Sequence, residues 1–507
     1  MATLSVAAVL AENARRRPDK EALVEGDLRL TFAEVWRRAR AQAGALVGLD
    51  VRPGDRVALM APNTADFPQA YYAVAAAGAV VVPVHLLLSA AEVEHVLRDS
   101  GATLLLCHPA QAETGAAAAR ATGVRMITLG EEFGKLAADA EPLPSYVTRN
   151  ADDPVVVFYT SGTTGVPKGA VLSHFNLVMN ATVNAFDAND IRPDDVALGA
   201  LPLFHAFGQT VSLNSTWRAG ATLVLLPRFD AARAIDLMVR EKVNTFHGVP
   251  TMFVALAAAA ADAEALPELR VCVSGGASLP VAVLERFEAA FGAKIYEGYG
   301  LSETSPAAAV NQPVFGVRPG TIGHPLWGVD VEIARAEVED AVELLPAGEL
   351  GEVVVRGHNV FSGYLGRPEA TAEALVDGWF RTGDLGTKDE DGFLRIVDRK
   401  KDVIIRGGYN VYPREVEEVL MRHPGIAQVA VIGLPDELHG EEVCAVVVRA
   451  PGTGSGAAPD AGEITDWSKE HLGRHKYPRR VEFADELPLG PSMKVLKREL
   501  RARYTGR

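Results

Sequence analysis

From Tyr159 to His174 the chain reads YTSGTTGVPKGAVLSH. A β-branched and aromatic run, VVVFYT, leads into a stretch carrying three glycines, four hydroxyls and a lysine. Glycines let backbone amides come close to an anion, Ser161, Thr163 and Thr164 offer O–H donors, and Lys168 offers charge. These are the parts needed to cradle a polyphosphate. The pattern is not the Walker loop, whose lysine directly follows a glycine and precedes Ser or Thr. A polar surface turn is the competing reading.

Further segments recur in order along the chain: PLFHAFG (202–208), SGGASL (274–279), EGYGLSET (297–304), TGDLG (382–386), DRKKDVIIRGGYNVYPREVE (398–417) and LPLGPSMKVLKREL (487–500). Together with the phosphate-type loop they resemble the adenylate-forming enzymes, which include acyl-CoA synthetases, firefly luciferases and stand-alone adenylation domains. The resemblance covers essentially the whole chain and is nearest to fatty acyl-CoA synthetases. It implies a two-step reaction. A carboxylate attacks the α-phosphate of ATP and expels pyrophosphate, and the acyl-adenylate then passes its acyl group to a thiol. Charge grows on the α-phosphate oxygens, so cations and donors must be placed there.

The resemblance implies roles for particular residues. Thr160, Ser161, Gly162, Thr163, Thr164, Gly165 and Lys168 would hold the phosphates, and Glu303 with Thr163 would hold Mg²⁺. Thr304 would donate to the α-phosphate. Gly276, Ala277, Ser278, Glu297, Gly298, Tyr299 and Gly300 would line the adenine side, while Asp384 and Arg399 would hold the ribose. Lys494 would bridge carboxylate and α-phosphate. Glycine normally precedes that lysine in the family, but Met493 stands here, and Lys497 is the fallback. His205 resembles a gate between the acyl and nucleotide sites, although a satisfied core histidine is an equal reading. Adenylation needs no general base, because the acid arrives ionised.

Two absences narrow the acid. The stretch 203–215 has no Asp or Glu to pair with an α-amino group, and 272–310 offers Arg286 as its only arginine for a second carboxylate. An unpaired second carboxylate in a pocket is costly, so a monocarboxylic acid with an apolar tail, a medium- or long-chain fatty acid, is expected, with an aryl or short-chain acid as the alternative. SPAAAV (305–310) would leave room for it. GGYNVYP (407–413) resembles the thiolation loop of CoA ligases, which places Gly407, Gly408 and Tyr409 at CoA. His475 and Lys476 are candidates for CoA phosphates or are solvated surface charges. A carrier-protein phosphopantetheine is the alternative acceptor, and neither monomer nor dimer is singled out. Expected partners are thus ATP, Mg²⁺, CoA and a small carboxylic acid.

The elements that must position these groups follow from patterning. VALMA (57–61), TLLLC (103–107), VVVFYT (155–160), TLVLL (222–226) and RVCVSG (270–275) alternate with helical stretches. That implies an α/β fold of layered, mostly parallel sheets. From 320 to 400 short strands with glycine-rich turns suggest a small β-barrel-like subdomain. After Lys401 a compact α+β unit begins, expected to be mobile with Lys401 as its hinge. The expected division is therefore 1–400, made of 1–150, 151–319 and 320–400, followed by 401–507.

The 507 residues exceed a single core, and 48% apolar with 23% charged residues suits a globular enzyme. A net charge of -15 disfavours nucleic acid and anionic membranes as partners. Cys107, Cys272 and Cys444 are too few and too scattered for a disulfide framework, which fits a reducing cytoplasm. The stretch 70–88 lacks charge over a membrane-spanning length, but Gly78 and Pro83 divide it into a buried helix and a buried strand.

Overall fold

The computed structural model describes residues 2–160, 167–450, 459–490 and 495–505. Two α/β sheets form the large N-terminal part. One has six strands in the order Arg125–Thr128, Leu104–Cys107, Arg56–Met60, Val80–Pro83, Pro154–Thr160, Lys168–Ser173. All neighbours are parallel except the last pair. Val80–Pro83 and Leu104–Cys107 are buried at every residue, which is why they read as unbroken apolar runs rather than alternating ones.

The other sheet has nine strands. Its parallel centre comprises Glu21–Glu25, Thr222–Leu225, Val196–Gly199, Thr245–Gly248, Val271–Ser274 and Ile295–Gly300. Antiparallel strands Leu28–Thr31 at one edge, and Ala307–Val310 then His324–Pro325 at the other, complete it. Residue 150 is therefore not a boundary between sheets. Glu21–Glu25 crosses to lie beside Thr222–Leu225, and Pro154–Thr160 joins strands from 56 to 128. Patterning shows that a strand exists but not which distant strand it pairs with.

Aromatic side chains fill the space between the sheets. Tyr71, Tyr72 and Trp217 are fully buried. Tyr72 donates to Asn214 Oδ1 at 2.9 Å, Asn214 donates to the Tyr71 hydroxyl at 3.0 Å, and the Trp217 indole donates to the Ala22 carbonyl at 2.9 Å. Each buried polar tip is thus satisfied. The uncharged stretch near residue 70 forms the helix Asp66–Ala76 and the strand Val80–Pro83. Gly78 between them takes φ +75°, a turn that glycine makes without strain. Among the described residues no helix is long and apolar enough to cross a membrane.

Val329–Ala334, Gly351–Gly357, Leu375–Val376, Trp379–Lys388 and Leu394–Arg399 make a five-stranded antiparallel sheet. The C-terminal α+β domain follows. Its strands Tyr409–Val411, Ile404–Arg406, Gly440–Arg449 and Ile426–Asp436 are antiparallel, and Arg480–Phe483 pairs parallel with Gly440–Arg449. The helices Pro413–Leu420, Ala461–His471 and Lys497–Tyr504 accompany this sheet.

Arg414, at the start of the first of these helices, ties the C-terminal domain to what precedes it. Its backbone N–H donates to Asp398 Oδ2 at 2.9 Å and its guanidinium to the Ile396 carbonyl at 2.6 Å. It also lies 3.7 Å from the buried carboxylate of Glu297. Burial raises Glu297 from 4.5 to about 7, with Arg414 opposing the shift. The folded protein therefore keeps a proton that the unfolded chain releases between those values, and stability falls as pH climbs through that window. Glu297→Gln removes this titration. The wild type is expected to lose on the order of 2–3 kcal/mol more than the variant between about pH 5 and about pH 8. Denaturant midpoints at both pH values check this, and parallel slopes would refute it.

Candidate active site

The antiparallel pair Pro154–Thr160 and Lys168–Ser173 sets Thr160 opposite Lys168. Ser161, Gly162, Thr163, Thr164 and Gly165 lie outside the described residues, as do Met493 and Lys494. Glu303 is buried at 7% exposure. Its Oε1 accepts from the Tyr364 hydroxyl at 2.9 Å and from Thr160 Oγ1 at 3.4 Å. Lys168 Nζ sits 5.2 Å from the centre of the Tyr364 ring. The structure thus brings Thr160, Lys168 and Glu303 together around a tyrosine that motif reading passed over.

Burial, and then the charge of Glu303, raise the Tyr364 phenol above its ordinary value, so it remains an O–H donor. Among the described residues no lysine, arginine or histidine forms an ion pair with Glu303, and the side-chain hydrogen bonds its carboxylate accepts come from neutral hydroxyls. A buried carboxylate of this kind suits a divalent cation bound to an oxygen donor set.

A second cluster joins three more expected residues. The Tyr299 hydroxyl donates to Asp384 Oδ2 at 2.6 Å, and Arg399 Nε lies 3.1 Å from Asp384 Oδ1. Asp384 is 5% exposed. Burial, reinforced by Asp384, lifts the Tyr299 phenol well above its usual value. Strand geometry makes the meeting possible, since Asp384 on Trp379–Lys388 is the register partner of Arg399 on Leu394–Arg399.

The glycines nearby are steric necessities. A Cβ on Gly300 would lie 1.8 Å from the Pro306 carbonyl oxygen, and one on Gly275 would lie 3.1 Å from the Phe207 ring. Gly276 has φ +81°. A small cavity opens beside them, lined by Leu201, Pro202, His205, Phe207, Gly276 and Val249. His205 Nδ1 accepts from the Phe207 amide at 3.3 Å, which fixes its ring at the mouth. Past His205 the chain enters a wide π-helical segment, Phe207–Asn214, a geometry common beside functional sites.

Residues 10–365 match the AMP-binding enzyme profile, and residues 415–494 match the profile of the AMP-binding enzyme C-terminal domain. This chain belongs to the AMP-binding enzyme family. It is 42% identical to a feruloyl-CoA synthase of an Amycolatopsis species, over 97% of each chain. It is 35% identical to a long-chain-fatty-acid–CoA ligase of Bacillus subtilis, over 97% of this chain and 93% of that one. Its fold superposes on the anthranilate CoA ligase AuaEII, solved with anthranoyl-AMP, with a TM-score of 0.93 at 28% identity, covering 100% and 98% of the two chains. As an AMP-binding enzyme of this kind it is an acid–thiol ligase using ATP, Mg²⁺ and CoA.

Other expected residues of this AMP-binding enzyme are employed differently. The Thr304 hydroxyl accepts from the Leu301 amide at 2.8 Å and donates back into the same turn, to the Leu301 and Pro306 carbonyls. It is fully buried, and in this arrangement it closes the turn that carries Glu303. Glu297 turns its carboxylate to the Leu279 amide at 3.0 Å and to Arg414, not outward to a base. Ala277 is exposed and Ser278 half-buried, at the mouth of the same glycine turn.

Gly407, Gly408 and Tyr409 are exposed and stand within the C-terminal domain. The Gly407 amide donates to the His439 carbonyl, and the Tyr409 ring packs, tilted, against His475 at 5.1 Å. Among the described residues no hydrogen bond or ion pair joins them to the Glu303 cluster. Lys476 is held by Glu415 at 2.7 Å, and Lys497 by Glu417 at 2.7 Å. Lys497, the fallback for Lys494, is thus held in an ion pair within the C-terminal domain in this arrangement.

Tyr364 supplies a test. Tyr364→Phe keeps the ring under Lys168 but deletes the donor to Glu303. Pyrophosphate release is expected to slow about tenfold with a raised Mg²⁺ requirement. An unchanged Mg²⁺ titration would separate Tyr364 from the metal site.

Proposed function

We propose that this acyl-CoA ligase activates an aromatic monocarboxylic acid, of the arylpropenoic or benzoic type, and transfers it to CoA. The observation that carries the reading is the aromatic and apolar lining of the cavity at the motif junction, where Phe207 packs on the backbone of Gly275 and His205, Val249 and Gly276 complete the wall. An aromatic wall of this kind suits an aryl acid. The helical run after Phe207 leads to Trp217, which packs on Tyr72 at 5.2 Å and on Phe32 at 6.1 Å in the core between the sheets. Arg286 is exposed on its helix, so it leaves a second carboxylate without a partner. The 42% identity to a feruloyl-CoA synthase supports the same choice.

In this reading Glu303 supplies the carboxylate for Mg²⁺, held in orientation by Tyr364 and Thr160. Bound Mg²⁺ supplies neutralising charge to the ATP phosphates. Asp384 accepts from the ribose hydroxyls, with Arg399 and Tyr299 fixing its two oxygens. Lys168 and Lys494 bring positive charge to the phosphates. His205 stands between acid and nucleotide and positions rather than abstracts.

A medium- or long-chain fatty acid is the second reading, favoured by the 35% identity to the Bacillus subtilis ligase. The deciding experiment supplies ATP, Mg²⁺ and CoA with cinnamate, benzoate, octanoate and palmitate, and follows AMP and acyl-CoA. The aromatic acids are expected to show kcat/KM at least ~10-fold above the aliphatic ones, about the discrimination a shaped apolar pocket supplies. Faster turnover of octanoate or palmitate would overturn the aromatic reading. Phosphopantetheinylated carrier protein, run in parallel with CoA, tests the acceptor.

A further inference from the structure

His247 is fully buried, and neither of its ring nitrogens has a hydrogen-bond partner. It lies on the central strand Thr245–Gly248, where alternate residues face opposite sides. Phe246 faces one side, packing against Phe253 at 5.2 Å. His247 therefore faces the other side, next to its register partner Val273. The segment Phe207–Asn214 packs on this strand. That segment and the helix continuing from it carry Thr210, Ser212 and Thr216, whose fully buried hydroxyls also lack partners. Phe207 and Gly208, at the start of the segment, and Val249, just beyond His247, line the cavity assigned above to the acid. Unpaired buried donors and acceptors are expensive, and a native fold keeps such a group where something completes it.

We infer that His247 is a specificity residue that binds a hydroxyl on the ring of the aromatic acid, with the hydroxyls of the 207–219 run beside it. The inference rests on the aromatic reading and deepens it. Burial lowers His247 from 6.5 to about 4, so the ring is neutral near neutral pH. A neutral imidazole has one donor and one acceptor, and a phenol O–H can use either. An aliphatic chain or an unsubstituted ring would leave both nitrogens unpaired, and a site built around an unpaired polar group discriminates strongly against the substrate that fails to pair it.

The test uses the full-length enzyme with ATP, Mg²⁺ and CoA, comparing 4-hydroxycinnamate, cinnamate and octanoate. The wild type is expected to favour 4-hydroxycinnamate over cinnamate by about 10–100-fold in kcat/KM, mostly through KM. His247→Leu is expected to erase that preference by weakening 4-hydroxycinnamate alone, and His247→Gln to restore part of it. Equal use of the two aromatic acids by the wild type overturns the inference, even if neither variant folds. So does a folded His247→Leu enzyme that keeps the wild-type ratio, which would make His247 a structural residue satisfied by water. Turnover of octanoate with neither aromatic acid accepted overturns the aromatic reading itself, and the inference with it.

Discussion

Lys494→Ala is expected to stop pyrophosphate release while leaving transfer from a supplied acyl-adenylate to CoA nearly intact. The argument begins with charge. The α-phosphate gains negative charge as the carboxylate attacks, and losing one donor aimed at it costs ~10²–10³ in rate. The transfer half-reaction begins after pyrophosphate has left, so it does not need that cation in the same way. The structure supplies the control. Lys497, three residues on, is engaged with Glu417 at 2.7 Å and starts the helix Lys497–Tyr504. Leu500 and Tyr504 of that helix are buried against the C-terminal sheet. Lys497→Ala should therefore lower thermal stability without separating the half-reactions. Equal loss of both half-reactions in Lys494→Ala would remove that lysine from the adenylation step.

The contrast between these two lysines shows where sequence reading reached and where it stopped. The phosphate-type loop, the glutamate of LSET and the aspartate of TGDLG stand out in the sequence, because each sits in a short local motif whose residue types match a chemical task. The structure brings Thr160, Lys168 and Glu303 into one cluster, and Tyr299, Asp384 and Arg399 into another. Tyr364 was not legible. Its role depends on a contact to Glu303 from 61 residues away, and a lone tyrosine in FSGYLG has no local signature. His247 was equally silent, since a histidine in an apolar strand looks like core until its nitrogens are found without partners.

Thr304 stands out in the same way from its place beside Glu303, and in this arrangement its hydroxyl closes its own turn. Strand existence was read well and strand partnership poorly. The crossing of Glu21–Glu25 to Thr222–Leu225 joins segments about 200 residues apart, which no local pattern encodes. Alternation of strands and helices conveys layers, whereas the order within a layer is set by tertiary packing.

Lys401→Pro is expected to preserve adenylation and lower CoA transfer by orders of magnitude. The hypothesis is that the C-terminal domain rotates about this residue between the two steps. Gly407–Tyr409 stands exposed and is bonded within the C-terminal domain, and on this hypothesis rotation brings that loop, with the thiol it guides, to the acyl-adenylate. The chain at the junction is suited to turning. Asp402 donates to the Arg399 carbonyl at 2.9 Å, making Lys400 and Lys401 the centre of an exposed tight turn. Neither takes a positive φ, and the Lys401 N–H makes no backbone hydrogen bond among the described residues. Proline therefore removes no bond here, yet it fixes φ near −65° and restricts Lys400 before it. Hinges work by changing such angles, so fixing φ at Lys401 and keeping Lys400 out of the α region should hinder the exchange between arrangements. Pyrophosphate exchange measures the first step, and acyl-CoA formation from added acyl-adenylate measures the second. If both rates match the wild type, Lys401 is not the hinge and the turn is a rigid connection.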